Sequence, residues 1–287
     1  MKLPSLNIIE GATLVYNGVV LALVLLFHAR IPEWQLWMLP NLGIVAAVLL
    51  LAVVIGDRAV RIPALIRSLA PLAFFLPLYL QTESINRIVF PDFLDPWFSR
   101  VEETLFGCQP ALVFARKFPQ LWLAEYMHFA YATCYSLFPG LAVFLYFRRA
   151  RAAFLDYMFS LCATMYACLL AYVLLPVRGP ISVESAGTAD GAALPFTAGM
   201  AWMYRHFEIG GAAFPSSHVA VATLVLYYTV RYARSAAWVV GPLVLSLIAS
   251  TVYCGYHYAI AVLAGLATAA ILLPLWRRIN PALHPRG

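Results

Sequence analysis

Long apolar runs alternate along the chain with short charged ones, and the runs have the length of a bilayer. They lie near 11–29, 36–56, 64–81, 121–147, 154–176, 216–232, 236–254 and 257–276, broken only by charge, proline or glycine. A bilayer core is about 30 Å thick and offers no hydrogen bonds, so roughly 20 consecutive apolar residues must satisfy their own backbone as a helix. The pattern predicts an all-α fold, a polytopic integral membrane helical bundle of about eight transmembrane helices. The third run is the most interrupted, by Pro71 and Pro77 with Arg67 near its start, but neighbouring helices make such prolines tolerable. No small-residue cleavage pattern follows the stretch from Gly11 to Ala29, which reads as a retained span. There is no evident internal repeat.

Two longer polar segments separate the spans. Segment 82–120 sets Trp97, Phe98, Leu105, Phe106 and Leu112 among charges; it reads either as an amphipathic helix on the outer surface or as a loop with aromatic anchors. Segment 177–215 carries Gly187, Gly191, Gly199, Gly210 and Gly211 with Trp202, Tyr204 and Phe207, a flexible stretch suited to a lid. The chain divides accordingly as one membrane domain, 1–287: accessory spans and outer segment over 1–120, a catalytic helical core over 121–276, and a basic cytoplasmic tail over 277–287.

Composition fixes the solvent of these helices. Of 287 residues 63% are apolar and 11% charged, too few charges to cover a soluble domain of this size. The net charge of +6 comes from 17 Arg and 2 Lys that cluster at the ends of apolar runs, which argues against nucleic acid as a partner and marks orientation instead. Twelve of these cations fall on one side (Lys2, Arg58, Arg61, Arg67, Arg148, Arg149, Arg151, Arg231, Arg234, Arg277, Arg278 and Arg286) and seven on the other. The richer side is expected to be cytoplasmic, with both termini there, in a cell (inner or plasma) membrane. Four of the five cysteines, Cys134, Cys162, Cys168 and Cys254, lie in or beside apolar runs without the close pairing of a zinc site, so they read as packing residues and no metal is called for.

Three polar groups then share the opposite, extracytoplasmic face. Pro215-Ser216-Ser217-His218 opens the sixth run. Proline suits a first helical turn, serine caps it, and the free N–H groups with the helix dipole favour phosphate. His218 is placed to protonate a leaving oxygen, although a plain cap with an interfacial His has the same residues. His257 follows the turn at Gly255 and is placed to attack phosphorus if one ring nitrogen is held by an acceptor. On a helix that acceptor belongs one turn on, at position 261, which is Ala261. Arg178, in Arg178-Gly179-Pro180, offers a planar fork for two phosphate oxygens; an ordinary interfacial Arg is the alternative. Glu125 and His128, three apart near the outer end of the fourth run, line the acceptor side of a pocket, pair with Arg178, or make a structural bond between helices. Tyr131, Tyr135 and Tyr166 read as packing.

In their order these residues resemble the phosphatidic-acid phosphatase type 2 superfamily. The superfamily pattern is a Lys seven residues ahead of Arg-Pro, then Pro-Ser-small-His, then Ser-Arg, five residues, His, three residues and Asp. The chain has Arg178 (with Gly179 before Pro180), Pro215 to His218, Ser250, and His257 at the right spacing. The resemblance implies His257 as the nucleophile of a phosphohistidine intermediate, His218 as the acid, and Arg178, Ser216, Ser217 and Ser250 as phosphate-holding residues, with no cofactor. The motif Lys falls at Ala171, the motif Arg at Thr251 and the motif Asp at Ala261. Thr251 and Tyr253 then join Glu125 and His128 as pocket-lining candidates.

A pocket with fewer cations matches a singly charged diester better than a doubly charged monoester, although Arg205 or Lys117 can restore charge. The stretch His257 to Val262 is also similar to the sphingomyelin and inositol-phosphorylceramide synthase branch. The expected function is therefore head-group transfer from a lipid phosphodiester to an alcohol, at the outer leaflet. Ala261 is expected to leave His257 in mixed tautomers and unsupported as it charges, the mark of an inactivated form. A lipid phosphate or polyprenyl pyrophosphate phosphatase, using water, is the alternative enzyme. A non-catalytic lipid binder or transporter is the alternative outside enzymes, against which stands the lack of repeated halves. The lipid and the oligomeric state have no signature in the sequence.

Overall fold

A computed structural model describes residues 6–56, 61–180, 194–207 and 209–279. Lys2, Arg58, Arg286, Gly187, Gly191 and most of the tail 277–287 lie outside these. The described chain folds as helices: α1 (Ile8–Leu26), α2 (Trp34–Ile55), α3 (Arg61–Ile85), α4 (Asp95–Phe106), α5 (Pro110–Lys117), α6 (Leu121–Ala132), α7 (Cys134–Phe147), α8 (Arg151–Leu174), α9 (Pro195–Phe207), α10 (Ser217–Tyr232), α11 (Ala237–Tyr253) and α12 (Ala259–Ile279). Seven stretches among the described residues are long and apolar enough to cross a membrane, with α6 and α7 together making one of them. The chain is an integral membrane protein built as a helical bundle. The sixth run of the sequence, α10, has 16 residues, about 24 Å at 1.5 Å each, and lies inside the bundle rather than at its lipid face.

Local chemistry explains where the helices start and stop. Asn7 and Glu10 form a reciprocal capping box at the start of α1. Thr133 separates α6 from α7: its hydroxyl donates to the Ala130 carbonyl at 2.6 Å, and Pro139 cannot donate to the turn before it. Arg67, an apparent blemish in the third run, makes a two-pronged ion pair with Glu10 at 2.6 and 2.8 Å, both side chains buried, so it ties α3 to α1. The amphipathic segment after α3 forms two short helices rather than one, because Gly107 ends α4 with a positive φ of 70° and Pro110 starts α5.

The core gathers around α8. Of its apolar window 72% is buried, against 22% for α2, α11 and α12, and it packs on α1, α3, α7, α10 and α12. Buried Asp156 of α8 accepts from Tyr228 of α10 at 2.7 Å, and Ser160 also bonds the Tyr228 hydroxyl, at 2.8 Å. These bonds fix α10 against α8 in a medium that offers no water to replace them. Gly265 sets the approach of α12 to α10: a Cβ there would lie 2.6 Å from the Ser216 carbonyl oxygen and 3.0 Å from Val219 Cβ. The starts of α10 and α12 are thereby brought side by side. Cys134, Cys162, Cys168 and Cys254 are buried and unbonded to one another.

Candidate active site

His218, in the first turn of α10, and His257, in the turn before α12, face each other with ring centroids 5.7 Å apart. His257 is 4% exposed, and its Nδ1 lies 2.9 Å from the Ala213 carbonyl oxygen. A carbonyl only accepts, so Nδ1 carries the proton and the neutral ring has its lone pair on Nε2. The expectation that Ala261 leaves the ring in mixed tautomers is therefore corrected: a main-chain oxygen from another segment takes the acceptor's place. Burial lowers the His257 pKa to about 4, opposed by the bond to Ala213. His218 is half-buried, with its Nε2 3.1 Å from the Tyr131 hydroxyl. Tyr131, expected to be a packing residue, is thus a partner of the histidine as well, and Tyr135 meets the same ring edge-on at 6.4 Å.

Three short backbone segments hold this pair. Val177 pairs with Ala212 as an isolated parallel bridge, and Ala213 N–H donates to Val177 O at 2.8 Å, so the acceptor carbonyl of Ala213 is anchored from the segment that precedes Arg178. Gly179 comes so close to the His257 turn that a Cβ there would lie 2.9 Å from the Tyr256 oxygen, at a φ of +105°. Only glycine fits both demands. Next to it, Arg178 has its main-chain N–H on Asp95 at 3.0 Å, while its exposed guanidinium stacks 4.0 Å over Phe93. Asn86 and Glu83, at the end of α3, hold the Gly210 carbonyl and N–H at 2.7 and 3.2 Å.

At the helix start read as an open anion site, three main-chain N–H groups are met by the protein's own groups. Ser216 N–H donates to Ala261 O, Ser217 N–H to the Tyr172 hydroxyl, and Val219 N–H to Ser216 Oγ, at 3.0, 3.2 and 3.4 Å. Ser216 is 0% and Ser217 6% exposed, so these serines build the turn that carries His218. Ser250 and Thr251 donate within α11, to Leu247 O and Ile248 O, both at 2.7 Å. Tyr253 reaches Phe118 O at 2.8 Å and pins the end of α5 rather than lining the histidines. Glu125 does not pair with Arg178: its carboxylate caps α9, accepting from Phe196 N, Thr197 N and Thr197 Oγ1 at 2.7, 3.0 and 2.8 Å. His128 bonds Ala124 O in its own helix and meets Tyr256 edge-on. Arg205 and Lys117 are exposed, Arg205 bonding its own helix at Ala201 O.

Residues absent from the sequence reading complete the site. Tyr256 stacks on Tyr204 of α9 at 4.2 Å and meets Tyr131 at 4.5 Å, so α9 covers the turn that bears His257. Tyr172, Asp95, Phe93 and Asn86 come from elements remote in sequence, and only the position of Tyr256 beside His257 offered a signal. Among the described residues no cluster of His, Cys, Asp and Glu is placed to hold a metal ion. A groove of about 830 Å³ between α1, α8 and α12 is lined by apolar residues such as Val15, Phe159 and Trp276 and by none of the site residues.

Fold and site together define an integral membrane helical protein with paired imidazoles and an arginine turn gathered at one end of its bundle. The sequence profile of the PAP2 superfamily matches residues 96–275. The chain belongs to this superfamily, which supports a lipid enzyme of the phosphatase or phosphotransferase type. No curated protein and no solved structure matches the chain.

Proposed function

We propose that the chain transfers a phospho-head-group from a lipid phosphodiester to an alcohol at the outer leaflet, through a phosphohistidine on His257. The observation that carries this reading is the fixed His257 tautomer beside a second imidazole 5.7 Å away. In the first step Nε2 of His257 bonds to phosphorus while the bond to the leaving oxygen breaks, and His218 supplies the proton that oxygen needs. In the second, the acceptor alcohol gives its proton back to His218, its oxygen bonds to phosphorus, and the N–P bond breaks. Arg178 grips the phosphoryl oxygens after its guanidinium turns from Phe93. The preference for a diester rests on Ala171 and Thr251, which stand where the superfamily motif carries cations. The likeness of His257 to Val262 to the sphingomyelin and inositol-phosphorylceramide synthase branch supports the same choice.

Ala261 sets the rate rather than abolishing the chemistry. The Ala213 carbonyl holds the tautomer, but it is neutral and stabilises an imidazolium less than a carboxylate would. Ala261 is fully buried and packs in one cluster with Ala213, Val177, Phe98 and Tyr258, so a carboxylate at 261 would lie near the acceptor of His257. Ala261→Asp is expected to raise turnover by roughly 10²-fold or more, toward the ~10⁴-fold seen for the acid of a serine triad. Assay by mass spectrometry, with mixed phospholipids as donors and an added lipid alcohol, separates the alternatives. A new phospholipid product supports transfer; release of phosphate or a dephosphorylated lipid with water alone supports the phosphatase. If Ala261→Asp performs neither reaction, the enzymatic reading fails.

A further inference from the structure

An amphipathic helix normally turns its apolar side inward, and α4 does the reverse in part. Asp95, Phe98, Ser99 and Glu102 fall at i, i+3, i+4 and i+7, one helical face, while Trp97, Leu105 and Phe106 are 54%, 63% and 44% exposed. The inward face therefore carries two carboxylates, and Glu102 is 0% exposed. Burying a carboxylate is unfavourable unless strong donors meet it. Here the donors are main-chain N–H groups on both sides of the paired histidines, and they meet both oxygens of Asp95 but only one of Glu102, whose Oε2 is buried without a partner. Asp95 Oδ2 accepts from Arg178 N and Oδ1 from Gly179 N, both at 3.0 Å, and Oδ1 also accepts from the Tyr258 hydroxyl at 3.2 Å. The same hydroxyl lies 3.3 Å from Ser99 Oγ. One turn further, Glu102 Oε1 accepts from Ile260 N in the first turn of α12 at 3.1 Å.

We infer that α4 is the buttress of the active site, with Asp95 and Glu102 as positioning residues. Asp95 ties the Arg178 turn to Tyr258, the neighbour of His257, and Glu102 fixes the helix that starts just behind it. The role rests on the phosphoryl-transfer reading above, yet the carboxylates themselves do not touch the substrate: a negative group facing a phosphate would repel it. By holding Arg178 through its main chain, Asp95 leaves the guanidinium available to an anion.

The experiment compares Asp95→Asn with the parent protein and with Arg100→Ala on the exposed face of α4. A carboxamide has one acceptor oxygen where the carboxylate has two, so one of the two N–H bonds at Arg178 and Gly179 is lost. Amide exchange at these residues is expected to speed up by about 10-fold, the equivalent of one charge-assisted hydrogen bond, while exchange in α8 stays as it was. Vanadate, a mimic of five-coordinate phosphorus, is expected to bind about 10-fold more weakly. Glu102→Gln keeps an acceptor for Ile260 N and is expected to preserve vanadate affinity where Glu102→Ala loses it. Unchanged exchange at Arg178 and Gly179 in Asp95→Asn overturns the inference, as does faster exchange with parental vanadate affinity. A parent protein that fails to bind vanadate counts against the phosphoryl-transfer reading alone; exchange still decides whether Asp95 fixes the turn.

Discussion

At the scale of single residues, the site depends on an imidazole that is buried, neutral and held by one oxygen. Burial takes the His257 pKa down to about 4, from an ordinary value near 6.5. As pH falls, a ring with a depressed pKa stays unprotonated until that lower value is reached, so the proposed nucleophile remains available down to about pH 5. The acid limb of kcat/KM contributed by His257 is therefore expected near pH 4. In Ala261→Asp a carboxylate favours the imidazolium, and the limb is expected to move upward. A limb at pH 6.5 in the parent protein would refute the buried geometry. The sequence announced His257 and His218 by type and spacing, but the acceptor was beyond its reach. Position 261 is one helical turn from His257 and can be read along the chain, whereas Ala213 contributes a main-chain oxygen, and every residue has one of those.

At the scale of elements, two helix starts have to meet, and Gly265 allows it. A methyl group at 265 would collide with the Ser216 main chain, which cannot swing aside as a side chain can. Gly265→Ala is expected to destabilise by about 1–3 kcal/mol, with a larger fall in activity because the Ser216 to His218 turn is displaced. Gly18→Ala in α1 meets nothing within 4 Å and is expected to be neutral or stabilising by up to about 1 kcal/mol. Thermal unfolding in detergent with parallel turnover measurements checks both, and equal effects at the two sites would refute the close approach. Periodicity located α10 and α12 in the sequence, since each has its own apolar run. It could not say that α9 would be capped by Glu125 of α6, because a carboxylate in a mostly apolar helix fits several partners equally well. Nor could it orient α4, whose inward face is part polar.

At the scale of the whole molecule, connectivity sets the basic residues apart from the histidines. Arg148 and Arg149 follow α7 and Arg151 opens α8, Arg231 lies in the last turn of α10 and Arg234 between α10 and α11, and Arg277 and Arg278 at the end of α12, whereas His218 opens α10 and His257 lies in the turn before α12. In the proposed orientation, which puts the basic end in the cytoplasm, Arg100→Cys in α4 is expected to react with a membrane-impermeant thiol reagent in intact cells, in a background where Cys108 is Ala. Arg278→Cys is expected to react only after permeabilisation. The reverse pattern would place the site inside the cell.

The sequence by itself determined that this is a helical membrane protein and singled out the histidines and the arginine proposed to carry its chemistry. Both are local properties: apolar runs must become helices where no water can bond the backbone, and the reactive residue types recur in a fixed order. Tertiary structure alone decided which groups hold them. The Ala213 carbonyl, the Tyr131 hydroxyl and the carboxylates of Asp95 and Glu102 act across 44 to 158 residues of chain between bonded partners, and such contacts arise from packing rather than from any spacing along the chain.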